Sequence, residues 1–137
     1  MYTVKLITKD KIQCLGFKPD PHTVSLKDDG LWYALCDDAL VLVLSLLCIR
    51  KQRNELYIGE VFTPKEFRRK GYFSHLLKYV VDCVYPEYSI STHALLASKK
   101  CFENAGFEEF SFRHFKCGDQ WWLRRKGKKY VGEQIYN

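Results

Sequence analysis

The stretch "FRRKGYF" at 67–73 sets Arg68, Arg69 and Lys70 directly in front of Gly71 and a run of helical periodicity. Cations are unfavourable at the positive end of a helix dipole, so they need a compensating anion or full solvation. The first backbone N–H groups of a helix have no intrahelical partners, and together they form an anion site. Glycine at the junction permits a positive φ or the close approach of a ligand, and Arg68 and Lys70 can reach a second phosphate. Phosphate or pyrophosphate binding is the chemistry this stretch supports; a solvated basic turn has the same composition.

Two further side chains have acid–base potential. In "ELYIGEVFT", 55–63, strict alternation puts Glu60 on one face with Leu56, Ile58 and Phe62. A carboxylate on an apolar face has its pKa raised toward neutrality, which suits proton transfer. A bulged strand with Glu60 solvated or paired to an arginine is the structural alternative. His93 closes a later strand and titrates in the useful range, as an exposed loop histidine also would. Glu55 and Tyr57 fall on the face opposite Glu60, and His75 on the outer face of a helix.

The elements that must position these residues follow from periodicity. "YTVKLIT", "LWYALCD", "ALVLVLSLLCI" and "ELYIGEVFT" read as consecutive strands, with turn signals at Asp28-Asp29-Gly30, Asp37-Asp38 and 51–54. The stretch with Pro19 and Pro21 leaves room for little helix. The apolar run at 39–49 is too short for a membrane span, which takes about 20 residues, and reads as a buried strand. After Pro64 the period becomes helical, with Phe73, Leu76, Leu77, Val80 and Val84 on one face and His75, Lys78 and Asp82 on the other, up to Pro86. "YSISTHA" is a strand, "LLASKKCFENAG" a helix capped by Gly106, and "FEEFSFRHF" with "QWWLRR" a hairpin across Gly118.

With 137 residues, 47% of them hydrophobic, the chain reads as a single domain over 1–137. A net charge of +6 favours anionic partners. Cys14, Cys36, Cys48, Cys83, Cys101 and Cys117 contain no Cys-x-x-Cys pair and read as reduced core thiols. His22, His75, His93 and His114 have no zinc-ligand spacing, so no metal is expected. The first ten residues have no secretory pattern, and a cytoplasmic location is expected.

Two motifs together resemble the GNAT superfamily of acyl-CoA-dependent N-acyltransferases. Arg68-Arg69-Lys70-Gly71-Tyr72-Phe73 is similar to the family's Arg/Gln-x-x-Gly-x-Gly/Ala cofactor motif, approached through "VFTPKEF". "SKKCFENAGF", 98–107, resembles its helix ending in Tyr-x-x-x-Gly-Phe. The likeness covers roughly 39–125 and implies an α/β (α+β) fold. That fold is a mixed, mostly antiparallel sheet flanked by helices, here with a shortened N-terminal helical region.

The resemblance implies acetyl-CoA as co-substrate and transfer to a primary amine. It assigns Arg68, Arg69, Lys70, Gly71, Tyr72 and Phe73 to the pyrophosphate and Val61, Phe62 and Thr63 to the pantetheine arm. Phe102 takes the place of the family's thiolate-protonating Tyr and is a cofactor contact. Glu60 is the first candidate base and His93, where the fold splays two strands, the second. Phe73 replaces a small residue and Leu95 an Asn that often contacts the cofactor. A phenyl ring cannot donate a proton, so water or another group must protonate the thiolate.

The acceptor class stays open among a small molecule, a protein, and tRNA or DNA, as does a homodimer; a membrane partner is not expected. Arg113, Lys116, Arg124, Arg125, Lys126, Lys128 and Lys129, interleaved with Trp121, Trp122 and Tyr130, suggest an alternative. That alternative is a non-catalytic module binding nucleic acid or an acidic protein through its C-terminal surface.

Overall fold

The computed structural model describes residues 2–8, 30–37 and 42–128. Cys14, Pro19, Pro21, His22, Asp28, Asp29, Asp38, Lys129 and Tyr130 lie outside the described residues. So do positions 39–41 of the apolar run, Met1, Lys9 and Asp10 of the first ten residues, and the region expected to hold a shortened helix.

The described residues form one seven-stranded sheet of order β1-β2-β3-β4-β5-β7-β6. The strands are β1 (Tyr2–Ile7), β2 (Gly30–Asp37), β3 (Val43–Gln52), β4 (Glu55–Phe62), β5 (Ile90–Ala94), β6 (Glu108–Phe115) and β7 (Gly118–Arg125). Neighbours are antiparallel except β4 and β5, which run parallel. A parallel pair requires a crossover, and here it contains a 3-10 turn at Lys65–Phe67 and helix α1 (Tyr72–Tyr79). Helix α2 (Leu96–Asn104) connects β5 to the closing hairpin.

β3 is buried from Leu44 to Ile49, with both faces in cores, which is why its sequence is continuous rather than alternating. Leu47 and Ile49 belong to the helix-side core with Leu35, Ile58, Leu76, Leu77, Val80, Val81, Phe102 and Leu123. Leu46 and Cys48 belong to a second cluster with Ile7, Trp32, Ala34 and Cys36 on the opposite face. Each fully buried Leu or Val contributes about 1.5–3 kcal/mol relative to exposure.

The helical apolar face after Pro64 forms, but not as one uniform helix. α1 passes into a π-helical turn at Val80–Val84, closed by the Tyr85 N–H donating to the Val80 carbonyl at 3.0 Å. The wider turn leaves Val80 and Val81 both buried and Val84 only half-buried. Tyr85 then meets the Tyr33 hydroxyl at 2.8 Å, and Pro86 prevents continuation. α2 ends as its glycine dictates: Gly106 takes φ 95°, and the Phe107 N–H donates to the Phe102 carbonyl at 3.0 Å.

Core thiols are fewer than the apolar context implies. Cys36 and Cys48 are buried, but Cys83 and Cys117 are exposed and Cys101 is intermediate; all five are free. Among the described residues no group of His, Cys, Asp and Glu could hold a metal ion, and no helix is long and apolar enough to cross a membrane.

Phe102 joins α2 to the rest of the core, with ring centroids 5.6 Å from Phe73 and 5.2 Å from Phe107, both edge-on. Replacing it by Ala removes these contacts and leaves a cavity, so Phe102→Ala is expected to lose about 3–5 kcal/mol in urea unfolding. A loss below about 1 kcal/mol would mean that α2 is not anchored through this ring.

Candidate functional site

The site begins where two strands part. β4 and β5 pair only at Leu56↔Ile90, Tyr57↔Ser91 and Ile58↔Thr92, although β4 runs on to Phe62 and β5 to Ala94. The Thr92 hydroxyl donates to the Ile58 carbonyl at 2.8 Å at the point of separation. Beyond it, one backbone edge of β4 has no strand partner among the described residues. Gly59 supplies the local cause. In the β3–β4 ladder Cys48 faces Glu60 while Ile49 faces Ile58, so Gly59 is an extra residue, a bulge that bends and twists the strand.

On the helix side of the split lies a cavity of about 700 Å³. Val61, Phe62 and Thr63 line it from the end of β4. Arg68, Arg69, Gly71, Tyr72 and Phe73 line it from the approach to α1 and its first turn. Lys70 and Phe102 do not line it; Phe102 is only 1% exposed, inside the core. Ser98 and Cys101 of α2 do line it, as does Leu95, and only Leu95 carries a sequence signal, through its motif position.

The head of α1 is open. Gly71 is its N-cap at φ 79°, with no side-chain capping hydrogen bond and no acidic residue in the first turn. A Cβ at Gly71 would meet nothing within 4 Å, so glycine is required there for its left-handed backbone and not for space. Arg69 is also left-handed, at φ 63°. The loop is tied back by Arg68 Nε, which donates to the Thr63 carbonyl at 2.9 Å. Ser45 holds the same strand end, its hydroxyl 2.9 Å from Thr63 Oγ1 and 3.3 Å from the Phe62 carbonyl. The uncapped amides beside two arginines are a cavity wall suited to anions.

Glu60 lies on the other face, and this corrects the alternating reading. The bulge separates it from Leu56 and Ile58 and leaves it with Phe62 opposite Cys48 and Leu46, and on the same face as Glu55 and Tyr57. Its carboxylate is 4.0 Å from the Arg50 guanidinium, the paired alternative, and the residue is buried. Arg50 also lies over the Tyr57 ring at 5.2 Å. Sequence reasoning passed over Arg50 because it directly precedes a polar turn.

His93 joins this group. Its Nδ1 is hydrogen-bonded to the Tyr57 hydroxyl, and its ring lies 4.4 Å from that of Trp122. Desolvation, with the Arg50 charge second, holds the imidazole below its usual 6.5. Tyr57 is raised above 10.0, chiefly by desolvation, with Glu60 adding to the rise and Arg50 opposing it. At neutral pH both are therefore uncharged. His75 is exposed on α1, 6.0 Å from the Tyr2 ring and away from this group.

The C-terminal basic cluster is divided between internal contacts. Arg124 makes a two-pronged ion pair with Glu55, 3.1 Å for each bond, and covers Phe110. Arg125 donates to Asp82 at 2.9 Å and to the Val81 carbonyl at 3.2 Å. Arg113 lies over Trp122, and His114 pairs with Asp119. Lys116, Lys126 and Lys128 are exposed, and Trp121 packs against the helix-side core. Two arginines of this cluster are thus engaged with carboxylates within the chain.

Solved structures share this fold. A Bacillus subtilis acetyltransferase in complex with CoA matches at TM-score 0.72 and 14% identity, over 92% of this chain and 99% of that one. The ribosomal-protein-S18-alanine N-acetyltransferase of Escherichia coli matches at TM-score 0.72 and 14% identity over 100% of both. The chain has the GNAT fold. A variant of Vibrio cholerae spermidine N-acetyltransferase matches at TM-score 0.68 and 9% identity, over 98% of this chain and 96% of that one. No protein-family model matches the sequence, and neither does any curated protein.

The depressed His93 pKa has a consequence for stability. Between its folded and unfolded values the unfolded chain binds more protons, so this contribution is present above about pH 6.5 and is lost as pH falls through the folded value. His93→Gln is therefore expected to flatten the loss of stability between about pH 7 and pH 5. Parallel wild-type and variant curves in denaturant titrations would show that His93 does not supply that slope.

Proposed function

We propose that this chain is an N-acetyltransferase that uses acetyl-CoA and acts on a primary amine, as a single domain over 1–137. The observation that carries the reading is the parting of β4 from β5 directly above the uncapped, arginine-flanked head of α1. The donor set fits a pyrophosphate: open helix-head amides, Gly71 in the left-handed region, and Arg68 and Arg69 on the wall of a cavity of about 700 Å³. Val61, Phe62 and Thr63, which line the cavity beyond the last β4–β5 pair, are placed to lie along the amide-bearing pantetheine arm.

Acetyl-CoA would supply an activated thioester carbonyl. The residues of this chain would then do three things. The α1 head and its arginines hold the phosphates. The split between the strands brings the thioester within reach of the opposite face. Glu60 accepts the proton that the amine must lose as its nitrogen bonds to the acyl carbon and the carbon–sulfur bond breaks. The departing thiolate takes a proton from water or from the acceptor's side of the cleft, because Phe102 is buried and has no proton to give.

Acetyl-CoA is expected to raise the melting temperature, since a ligand bound only to the folded state stabilises it. Gly71→Val should weaken that effect by straining the left-handed cap, and Arg68→Ala by removing both a charge and the tie to Thr63. Glu60→Gln should lower turnover by about a hundredfold or more with acetyl-CoA affinity little changed. No thermal shift at millimolar acetyl-CoA would reject the cofactor assignment, and full activity of Glu60→Gln would remove Glu60 from the mechanism.

A further inference from the structure

We propose that the acceptor is an amine bearing a carboxylate, held on the face opposite the helices by the Arg50 guanidinium and by an Nε2–H donor of His93 that Tyr57 fixes in place. This rests on the acetyl-transfer reading above and names the substrate class for it.

The first support is the state of Arg50. Its side chain is only 25% exposed, yet its nearest carboxylate oxygen, on Glu60, is 4.0 Å away, beyond hydrogen-bond distance. No hydrogen bond joins the guanidinium to the described residues. Arg124 and Arg125, by contrast, make hydrogen bonds at 2.9 to 3.2 Å with carboxylates and a carbonyl. A planar fork of five donors, largely shielded by protein and without a hydrogen bond among the described residues, suits a two-oxygen anion. Space for it comes from Gly59, where a Cβ would sit 3.1 Å from Arg50 Cζ and 3.2 Å from Nη1. A larger residue at the bulge would displace the fork.

The second support is the hydrogen bond between Tyr57 and His93. A neutral phenol has one proton and gives it to the better acceptor, so the hydroxyl donates to Nδ1. A neutral imidazole that accepts at Nδ1 carries its proton at Nε2. His93 consequently offers an N–H rather than a lone pair, and it serves as a donor to the acceptor's oxygen while Glu60 takes the proton. Tyr57 is a positioning residue in this scheme.

Charge decides between acceptor types. Glu55 is consumed by Arg124, and Glu60 faces Arg50. The described part of this face thus presents cationic and N–H donors near the base, with no uncompensated carboxylate row for the second ammonium of a polyamine.

The test compares amines that differ only in the carboxylate, phenylalanine against phenethylamine and lysine against cadaverine, by acceptor-dependent release of CoA thiol. The carboxylate-bearing member is expected to have a kcat/KM about tenfold higher or more. Arg50→Lys keeps the charge beside Glu60 but loses the fork, and should erase most of that preference while leaving the KM for acetyl-CoA unchanged. Nitrogen-15 NMR of His93 should show the Nε2–H tautomer in the wild type and a tautomer mixture in Tyr57→Phe. Equal or faster reaction of phenethylamine, cadaverine or spermidine would overturn the carboxylate site and leave the transferase reading standing. Release of CoA from no amine, with acetyl-CoA still bound, would instead overturn the transferase reading. The anion site would then be judged by binding alone: a His93 NMR shift on adding phenylalanine that disappears in Arg50→Lys supports it, and no shift rejects it.

Discussion

One extra residue in β4 organises the cleft. By inserting Gly59 opposite the Cys48–Ile49 step, the chain rotates everything after it relative to the ladder. Glu60 moves off the helix-side core, Val61 turns toward the cavity, and pairing with β5 stops at Thr92. The missing side chain at the same position leaves room for the Arg50 guanidinium between Tyr57 and Glu60. A single backbone irregularity therefore sits where β4 and β5 part and also makes room for Arg50 on the opposite face. The sheet tolerates this because β3, buried on both faces, pairs with β4 on either side of the bulge.

Much of this architecture is legible in the letters, for reasons specific to each element. The apolar run of β3 reads as a strand because it is too short for a membrane and lacks helical spacing. Gly106 and Gly71 read as helix boundaries because a left-handed residue is needed at each. The face of Glu60 is not legible in the same way: period-two counting assumes no insertion, and one bulge reverses the answer. The sequence does contain the clue, a glycine inside a strand pattern, which often marks a bulge. The π-helical turn escapes for a similar reason, since three valines, a cysteine and an aspartate near Pro86 fit either helical period. Arg50 could not be found at all by local pattern, because its meaning comes from Tyr57, Gly59 and Glu60 on the neighbouring strand.

The basic excess of the chain is likewise not one property. Counted along the sequence, the densest cations lie near the C-terminus and suggest a nucleic-acid surface. In space, Arg124 and Arg125 serve as fasteners, one joining β7 to β4 through Glu55 and the other joining β7 to the end of the α1 segment through Asp82. Other arginines lie at the two candidate sites, Arg68 and Arg69 on the cavity wall and Arg50 beside Glu60.

That division suits a reaction between a polyanionic donor and a separate acceptor. In the proposed reaction the α1 head would draw phosphates to one face of the sheet, while on the opposite face Glu55 is matched by Arg124 and Glu60 by Arg50. Were both faces strongly cationic, the phosphates would compete for the acceptor side and the amine would be repelled from its own base. The Arg50 charge 4.0 Å from Glu60 keeps that carboxylate from an uncompensated burial on the face where the proposed reaction needs a base.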